Sequence, residues 1–242
     1  MLAKVITVLS GKGGVGKSTF CANIGKALSK NKKVLLIDGD IGLRSLDMLL
    51  GVDSMVVFDW SDVICNRCDR EKACLFASDN LHLLASPVSL SKDFTKENFE
   101  NLILLYKDSY DYILIDSPAG LGVYTEIYSS VSDEIIIIAT PDDISLRAAY
   151  ITGEKLSKAG MPDSKMRLVL NKVDTRLMKK GRQRNLDDAI DKTYLRLLGV
   201  IPEDKALATC ISSKDSAVSE DTNTAFFNIT GRILGKDVKL YL

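Results

Sequence analysis

No run of about 18 apolar residues occurs in this chain. A membrane-spanning helix needs roughly 20, so none is expected. Net charge is also missing: 32 lysines and arginines face 32 aspartates and glutamates. That balance argues against wholesale electrostatic binding to nucleic acid or membrane, though not against a local basic patch. The N-terminal "MLAKVITVLS" lacks the charged start and small-residue cleavage site of a signal peptide. It reads as a buried first strand, and the protein is expected in the cytoplasm, with peripheral membrane contact left open. Cysteines are few: Cys21, Cys65, Cys68, Cys74 and Cys210. Without a secretion signal they are expected as reduced thiols. Internal repeats and low-complexity linkers are absent too, so residues 1–242 are expected to form a single domain.

What is present is a globular composition, 46% hydrophobic and 26% charged, arranged in alternation. Short apolar runs at Lys4–Leu9, Val34–Asp38, Leu81–Ala85, Tyr112–Asp116, Glu134–Thr140, Arg167–Val173 and Leu197–Ile201 read as strands. Most are continuously apolar, as befits strands covered on both faces of a parallel sheet. Helical patterns fall between and after them, at Ser18–Lys30, Glu97–Tyr106, Ser145–Ala159, Leu186–Leu197 and Thr224–Leu234. This alternation predicts an α/β fold: one doubly wound, mostly parallel sheet with helices on both faces. Residues 40–80 form the least regular stretch, too long for a plain connection and therefore expected to be functional.

The most informative segment is "GKGGVGKST", Gly11–Thr19. Gly11, Lys12, Gly13, Gly14, Val15, Gly16, Lys17 and Ser18 match the phosphate-loop pattern G-x-x-x-x-G-K-[ST] at every fixed position. They also have the required strand before them and helix after. The glycines let successive N–H groups turn inward at phosphate oxygens, and the helix start adds its positive dipole end. Lys17 is expected to reach the β- and γ-phosphates, and the Ser18 hydroxyl to bind Mg²⁺.

Two acidic segments complete the pattern of a P-loop NTPase. "YILID" ends in Asp116, expected to hold Mg²⁺ through water. "IDGD" places Asp38 and Asp40 just past a buried strand. Carboxylates gathered there are reasonable only if a cation offsets their repulsion. Asp40 is the candidate for orienting the attacking water, and it stands with the metal set.

Together, "KGGVGKST", "DGDIGLRSLD", "IDSPAG" and "VIPED" resemble the MinD/ParA family of deviant Walker A ATPases, and its MinD branch in particular. The resemblance runs from about Lys4 to Leu234. It implies Mg-ATP as cofactor, an ATP-dependent homodimer, and slow hydrolysis stimulated by a protein partner or activator. The role implied is a spatial switch such as division-site selection. It makes Lys12 the signature lysine, which reaches across the dimer to the other subunit's nucleotide. A cation supplied there stabilises the charge of phosphoryl transfer and makes hydrolysis conditional on pairing. The resemblance further implies that Asn171 meets the adenine and that the backbone of Pro202, Glu203 and Asp204 flanks it.

Three features depart from that pattern. Phe226, Phe227, Ile229, Ile233 and Leu234 fit the core face of a last helix, and Gly235–Leu242 alternates like a strand. The C-terminal amphipathic membrane helix usual in the MinD branch is therefore not expected. Cys65, Cys68 and Cys74, with the only histidine, His82, could form a zinc site or remain unliganded thiols. "RLMKKGRQR" concentrates Arg176, Lys179, Lys180, Arg182 and Arg184. It is either a solvated loop or a patch for anionic lipid or DNA. Two other functions stay open: a DNA-partitioning ATPase of the ParA branch, and a module that holds nucleotide without turnover. Specific nucleic-acid binding is not expected.

Overall fold

The computed structural model describes residues 2–89, 94–209 and 218–241. Cys210 and Leu242, both used in the sequence reading, lie outside the described residues. The elements in chain order are β1 (Lys4–Leu9), α1 (Lys17–Leu28), β2 (Val34–Asp38), α2 (Leu46–Leu50), α3 (Trp60–Ile64), β3 (Cys74–Ser78), β4 (Leu81–Leu84), α4 (Lys96–Lys107), β5 (Tyr112–Asp116) and α5 (Val123–Ser130). They continue with β6 (Glu134–Ala139), α6 (Asp143–Lys158), β7 (Met166–Val173), α7 (Thr175–Lys179), α8 (Leu186–Thr193), β8 (Arg196–Pro202), α9 (Lys205–Thr209) and α10 (Glu220–Ile233). The eight strands form one mostly parallel sheet in the order β3-β4-β2-β5-β1-β6-β7-β8. All seven strands read from apolar runs are present.

Two compact units can be described separately. The first comprises Met1–Thr7, Ser18–Pro118 and Gly122–Asp133. Here β2 pairs in parallel with β5, from Val34↔Tyr112 to Asp38↔Asp116, and with β4 on its other side. Every residue of β2 is buried, which explains the unbroken apolar run. Residues 40–80 are more ordered than their sequence suggests. Asp59 caps α3 in a reciprocal capping box with Asp62, and β3 adds an antiparallel edge on β4. The core is aromatic: Trp60, Phe99, Tyr106, Tyr110 and Tyr128 are buried among Leu35, Ile37, Ile113 and Ile115.

The second unit comprises Val8–Lys17, Ala119–Leu121 and Glu134–Leu242. β6, β7 and β8 are parallel neighbours, and the β7–β8 register shifts between Leu170 and Val173. The core is aliphatic, built on Leu9, Ile135, Ile137, Leu146, Leu156, Leu168, Leu170 and Val200. The helix read as Leu186–Leu197 stops at Thr193, because Tyr194 takes a left-handed cap (φ 55°) and frees the chain for β8. α10 starts before its apolar periodicity does, because the Ser219 side chain accepts from Thr222 N.

Candidate functional site

The phosphate loop follows β1 and precedes α1 in the chain, and its residues belong to the second unit as far as Lys17. Gly14 (φ 74°) and Gly16 (φ 97°) are left-handed, a region that strains other residues. At Gly16 a Cβ would also stand 2.4 Å from Asn171 Nδ2. Ser10 Oγ donates to the Lys12 carbonyl at 2.8 Å. The N–H groups of Val15 and Gly16 make no hydrogen bond among the described residues. Lys17 is only 7% exposed and forms no ion pair among the described residues. Burying most of a lysine side chain with no anion beside its ammonium is costly. A phosphate set on these N–H groups would relieve that cost, so the loop fits the group expected of it.

Lys12 and Lys17, so close in sequence, sit in different surroundings. Lys12 Nζ lies 3.3 and 3.5 Å from the carboxylate oxygens of Asp142, with both side chains nearly half exposed. Asp142 is also the N-cap of α6, accepting from Ser145 N at 3.0 Å and from Thr140 Oγ1 at 2.5 Å. Partial burial would raise its pKa, but these hydrogen bonds and Lys12 hold it below the ordinary carboxylate value. The sequence reading missed Asp142. Its N-cap role was legible, since an aspartate precedes the helical pattern. Its pairing with a lysine 130 positions away was not.

Asn171, expected at the adenine, braces the loop. Its Nδ2 donates to the Val15 carbonyl at 2.7 Å, and its Oδ1 accepts from Lys172 N at 2.9 Å. A second Nδ2 hydrogen remains for a ligand. Glu203 N donates to the Val173 carbonyl at 3.0 Å, and the Asp204 carboxylate accepts from Ala206 N, Ser219 N and Thr222 Oγ1. The Pro202–Asp204 backbone is thereby fixed by hydrogen bonds on both sides. Glu203 also lines an open cavity of about 570 Å³ with Thr140, Lys172 and Arg182, so this backbone borders space a ligand could enter. In the basic run, Arg176 pairs with Asp174, and Arg184 pairs with Asp143. Lys179, Lys180 and Arg182 are exposed.

The acidic residues belong to the first unit. Asp38 and Asp116 occupy paired positions at the ends of β2 and β5. Asp116 is fully buried, and its carbonyl accepts from Gly39 N at 2.8 Å. No side chain fits at position 39, where a Cβ would lie 2.7 Å from that carbonyl and 2.8 Å from the Tyr128 ring. Asp38 accepts from Asp40 N and Leu46 N at 3.0 Å each, and so shapes the loop that carries Asp40. Burial pushes its pKa up to about 6, against the opposing pull of those two N–H groups. Trp60 Nε1 donates to the Asp38 carbonyl at 2.8 Å and the Tyr128 hydroxyl donates to the Gly39 carbonyl at 3.1 Å. Asp40 itself is half-buried, and Ser18 Oγ makes no hydrogen bond among the described residues. No cluster of three or more His, Cys, Asp or Glu suited to a metal occurs among the described residues. This donor set fits Mg²⁺, which takes one or two protein groups and completes its shell with water and substrate phosphates.

The described cysteines are not gathered into a metal-binding cluster. Cys74 Sγ lies 3.3 Å from the Tyr110 hydroxyl, and His82 Nδ1 lies 2.6 Å from the same oxygen. Cys21, Cys65, Cys68 and Cys74 are not joined in disulfides among the described residues, and burial raises the pKa of both Cys68 and Cys74. No helix among the described residues is long and apolar enough to cross a membrane.

Comparison with known proteins places this architecture. Residues 6–217 match the CobQ/CobB/MinD/ParA nucleotide binding domain. The septum site-determining protein MinD of Helicobacter pylori is 35% identical, the match covering 98% of this chain and 93% of that protein. MinD of Synechocystis is 34% identical, over 97% and 91%. Among solved structures, the MinC:MinD cell division complex of Aquifex aeolicus superposes with a TM-score of 0.89, at 33% identity and 98% coverage of both chains. MinD of Pyrococcus horikoshii complexed with Mg-ADP gives 0.82, at 28% identity and 96% coverage of both. With the phosphate loop built as described, these matches show that the chain belongs to the MinD/ParA family of P-loop nucleotide-binding proteins.

Proposed function

We propose that this chain, acting as one ATPase domain over residues 1–242, binds Mg-ATP, pairs with a second copy and hydrolyses ATP slowly. Its work is that of a cytoplasmic placement switch in selecting the division site. The observation that carries the reading is Lys17, buried with no ion pair among the described residues, beside a loop whose Val15 and Gly16 N–H groups make no hydrogen bond among them. The relatives named septum site-determining proteins, and the solved MinD bound to Mg-ADP, support nucleotide and process.

In this reading Gly11–Thr19 hold the phosphates. Ser18, Asp40 and Asp116 serve the Mg²⁺, with Asp40 orienting the attacking water. Asn171 and the Pro202–Asp204 backbone meet the base. Lys12 exchanges Asp142 for the other copy's nucleotide. An exposed pair of this kind contributes only about 0.2–1 kcal/mol, so the exchange is easy. A protein partner regulates the switch, as the solved Aquifex MinD is in complex with MinC.

The test is calorimetry with Mg-ADP and Mg-ATP, together with turnover. Lys17→Ala should weaken binding by about a hundredfold or more, the loss expected when a charged phosphate contact is removed from a preorganised site. Lys12→Ala should keep binding and lose turnover and ATP-dependent pairing. Asp40→Ala should bind and pair yet not hydrolyse; if it loses affinity instead, Asp40 holds the metal rather than the water. A wild-type chain that binds neither nucleotide would end the proposal.

A further inference from the structure

Lys172 is a residue the nucleotide reading leaves unused, and its conformation is unusual. It lies in β7 with φ 58°, where the β7–β8 register shifts. A lysine rarely adopts a left-handed backbone unless something holds it there, and strand irregularities of this kind re-aim a side chain. Here the side chain reaches the phosphate loop: Lys172 Nζ donates to the Gly14 carbonyl at 2.8 Å. The preceding residue does the same one position on, since Asn171 Nδ2 donates to the Val15 carbonyl at 2.7 Å. Lys172 N in turn donates to Asn171 Oδ1, which turns the Asn171 amide so that its nitrogen faces the loop. Two consecutive residues of one strand thus grip two consecutive carbonyls of a loop more than 150 positions away.

We infer that Asn171 and Lys172 form a clamp that presets the phosphate loop before any nucleotide arrives, and that Lys172 is a positioning residue for phosphate binding. The argument is peptide geometry. In a planar trans peptide the C=O and the N–H point in opposite directions. Holding the Gly14 carbonyl therefore fixes the direction of Val15 N–H, and holding the Val15 carbonyl fixes that of Gly16 N–H. Those two N–H groups make no hydrogen bond among the described residues. Gly14 and Gly16 have the left-handed freedom that would otherwise let these peptide units turn over. The clamp removes that freedom in advance, so less ordering is left to the binding step. The two arms differ in setting. Asn171 is buried, whereas Lys172 is exposed and can be changed without opening the core.

The inference rests on the reading of Gly11–Ser18 as a phosphate site, and the experiment separates the two. The full chain is labelled with ¹⁵N and its amide signals are recorded without ligand, then Mg-ADP is titrated by calorimetry. Lys172→Met should leave the melting temperature within about 2 °C, as for an exposed side chain. It should broaden or shift the Val15 and Gly16 amides of the ligand-free chain. It should also weaken Mg-ADP by about tenfold, the scale of one charge-assisted hydrogen bond. Lys172→Arg, which can still donate to the Gly14 carbonyl, should restore both signals and affinity. Unmoved amides with affinity within about twofold of wild type would overturn the clamp. So would weakened affinity with unmoved amides, which would make Lys172 a direct ligand instead. If the wild-type chain binds no Mg-ADP, the nucleotide reading fails, and the amide comparison still decides whether the clamp exists.

Discussion

The two units solve the same problem, holding a loop at the end of a buried strand, with different chemistry. In the first, the loop after β2 is held by aromatic side chains with polar tips. Trp60 and Tyr128 bury their rings in the core and donate to the carbonyls of Asp38 and Gly39. In the second, the cluster around Leu9, Ile137 and Leu168 contains no aromatic residue among the described residues, and the phosphate loop is held from outside it by Asn171 and Lys172. An aromatic side chain with an N–H or O–H can fill the core and position backbone at once. An aliphatic core packs more simply but has no hydrogen bond to offer, so its loop needs separate polar residues.

Trp60→Ala breaks the first arrangement most severely. Trp60 is fully buried, with Phe94 and Phe99 at ring centroids of 5.2 and 6.0 Å. The expected loss is about 3–5 kcal/mol by urea unfolding. Leu168→Ala should cost a similar 2–5 kcal/mol in the aliphatic core. Only the tryptophan change, however, should also release the loop carrying Asp40, and hydrogen exchange of Leu46 N and Asp40 N would detect it.

Next in size is the pH response of Asp38. Its folded pKa of about 6 lies above the unfolded value of 3.8. The folded chain therefore binds the proton more tightly, and stability from this group is present below about pH 4 and lost as pH rises through 6. The difference corresponds to about 3 kcal/mol at neutral pH without Mg²⁺. Wild type measured against Asp38→Asn in EDTA should lose stability between pH 4 and 6 and level off above; a flat difference would contradict this.

Smaller effects sharpen the contrast. Tyr128→Phe keeps the ring and removes one hydrogen bond, for about 0.5–1.5 kcal/mol. Ile137→Val in the other core should cost the same amount through packing alone. Only the tyrosine change should alter metal-dependent turnover. Of similar size is Asp142→Ala. The exposed Lys12 pair contributes at most about 1 kcal/mol, so thermal stability should fall only by that and the lost helix cap, again about 1 kcal/mol. A larger drop would mean that the pair anchors the loop rather than resting on it.

Much of this was legible in the sequence because it is local. Strand, glycine loop and helix occupy one continuous stretch. The unbroken apolar runs marked seven strands, and a carboxylate ending a buried strand marked Asp116. The antiparallel β3 escaped because its burial alternates irregularly and Phe76 stays exposed. α2 and α3 escaped because five-residue helices show no periodicity.

The sequence by itself determined the family, the strands other than β3 and the phosphate-loop pattern, since each shows in neighbours within a few positions. Only the tertiary structure decided how those residues are held. It set Lys12 on Asp142 across 130 positions, Asn171 and Lys172 on loop carbonyls 156 and 158 positions away, and Trp60 on Asp38. Hydrogen-bond partners are chosen by distance in space once burial has removed water as an alternative. The chain's order carries no record of that choice.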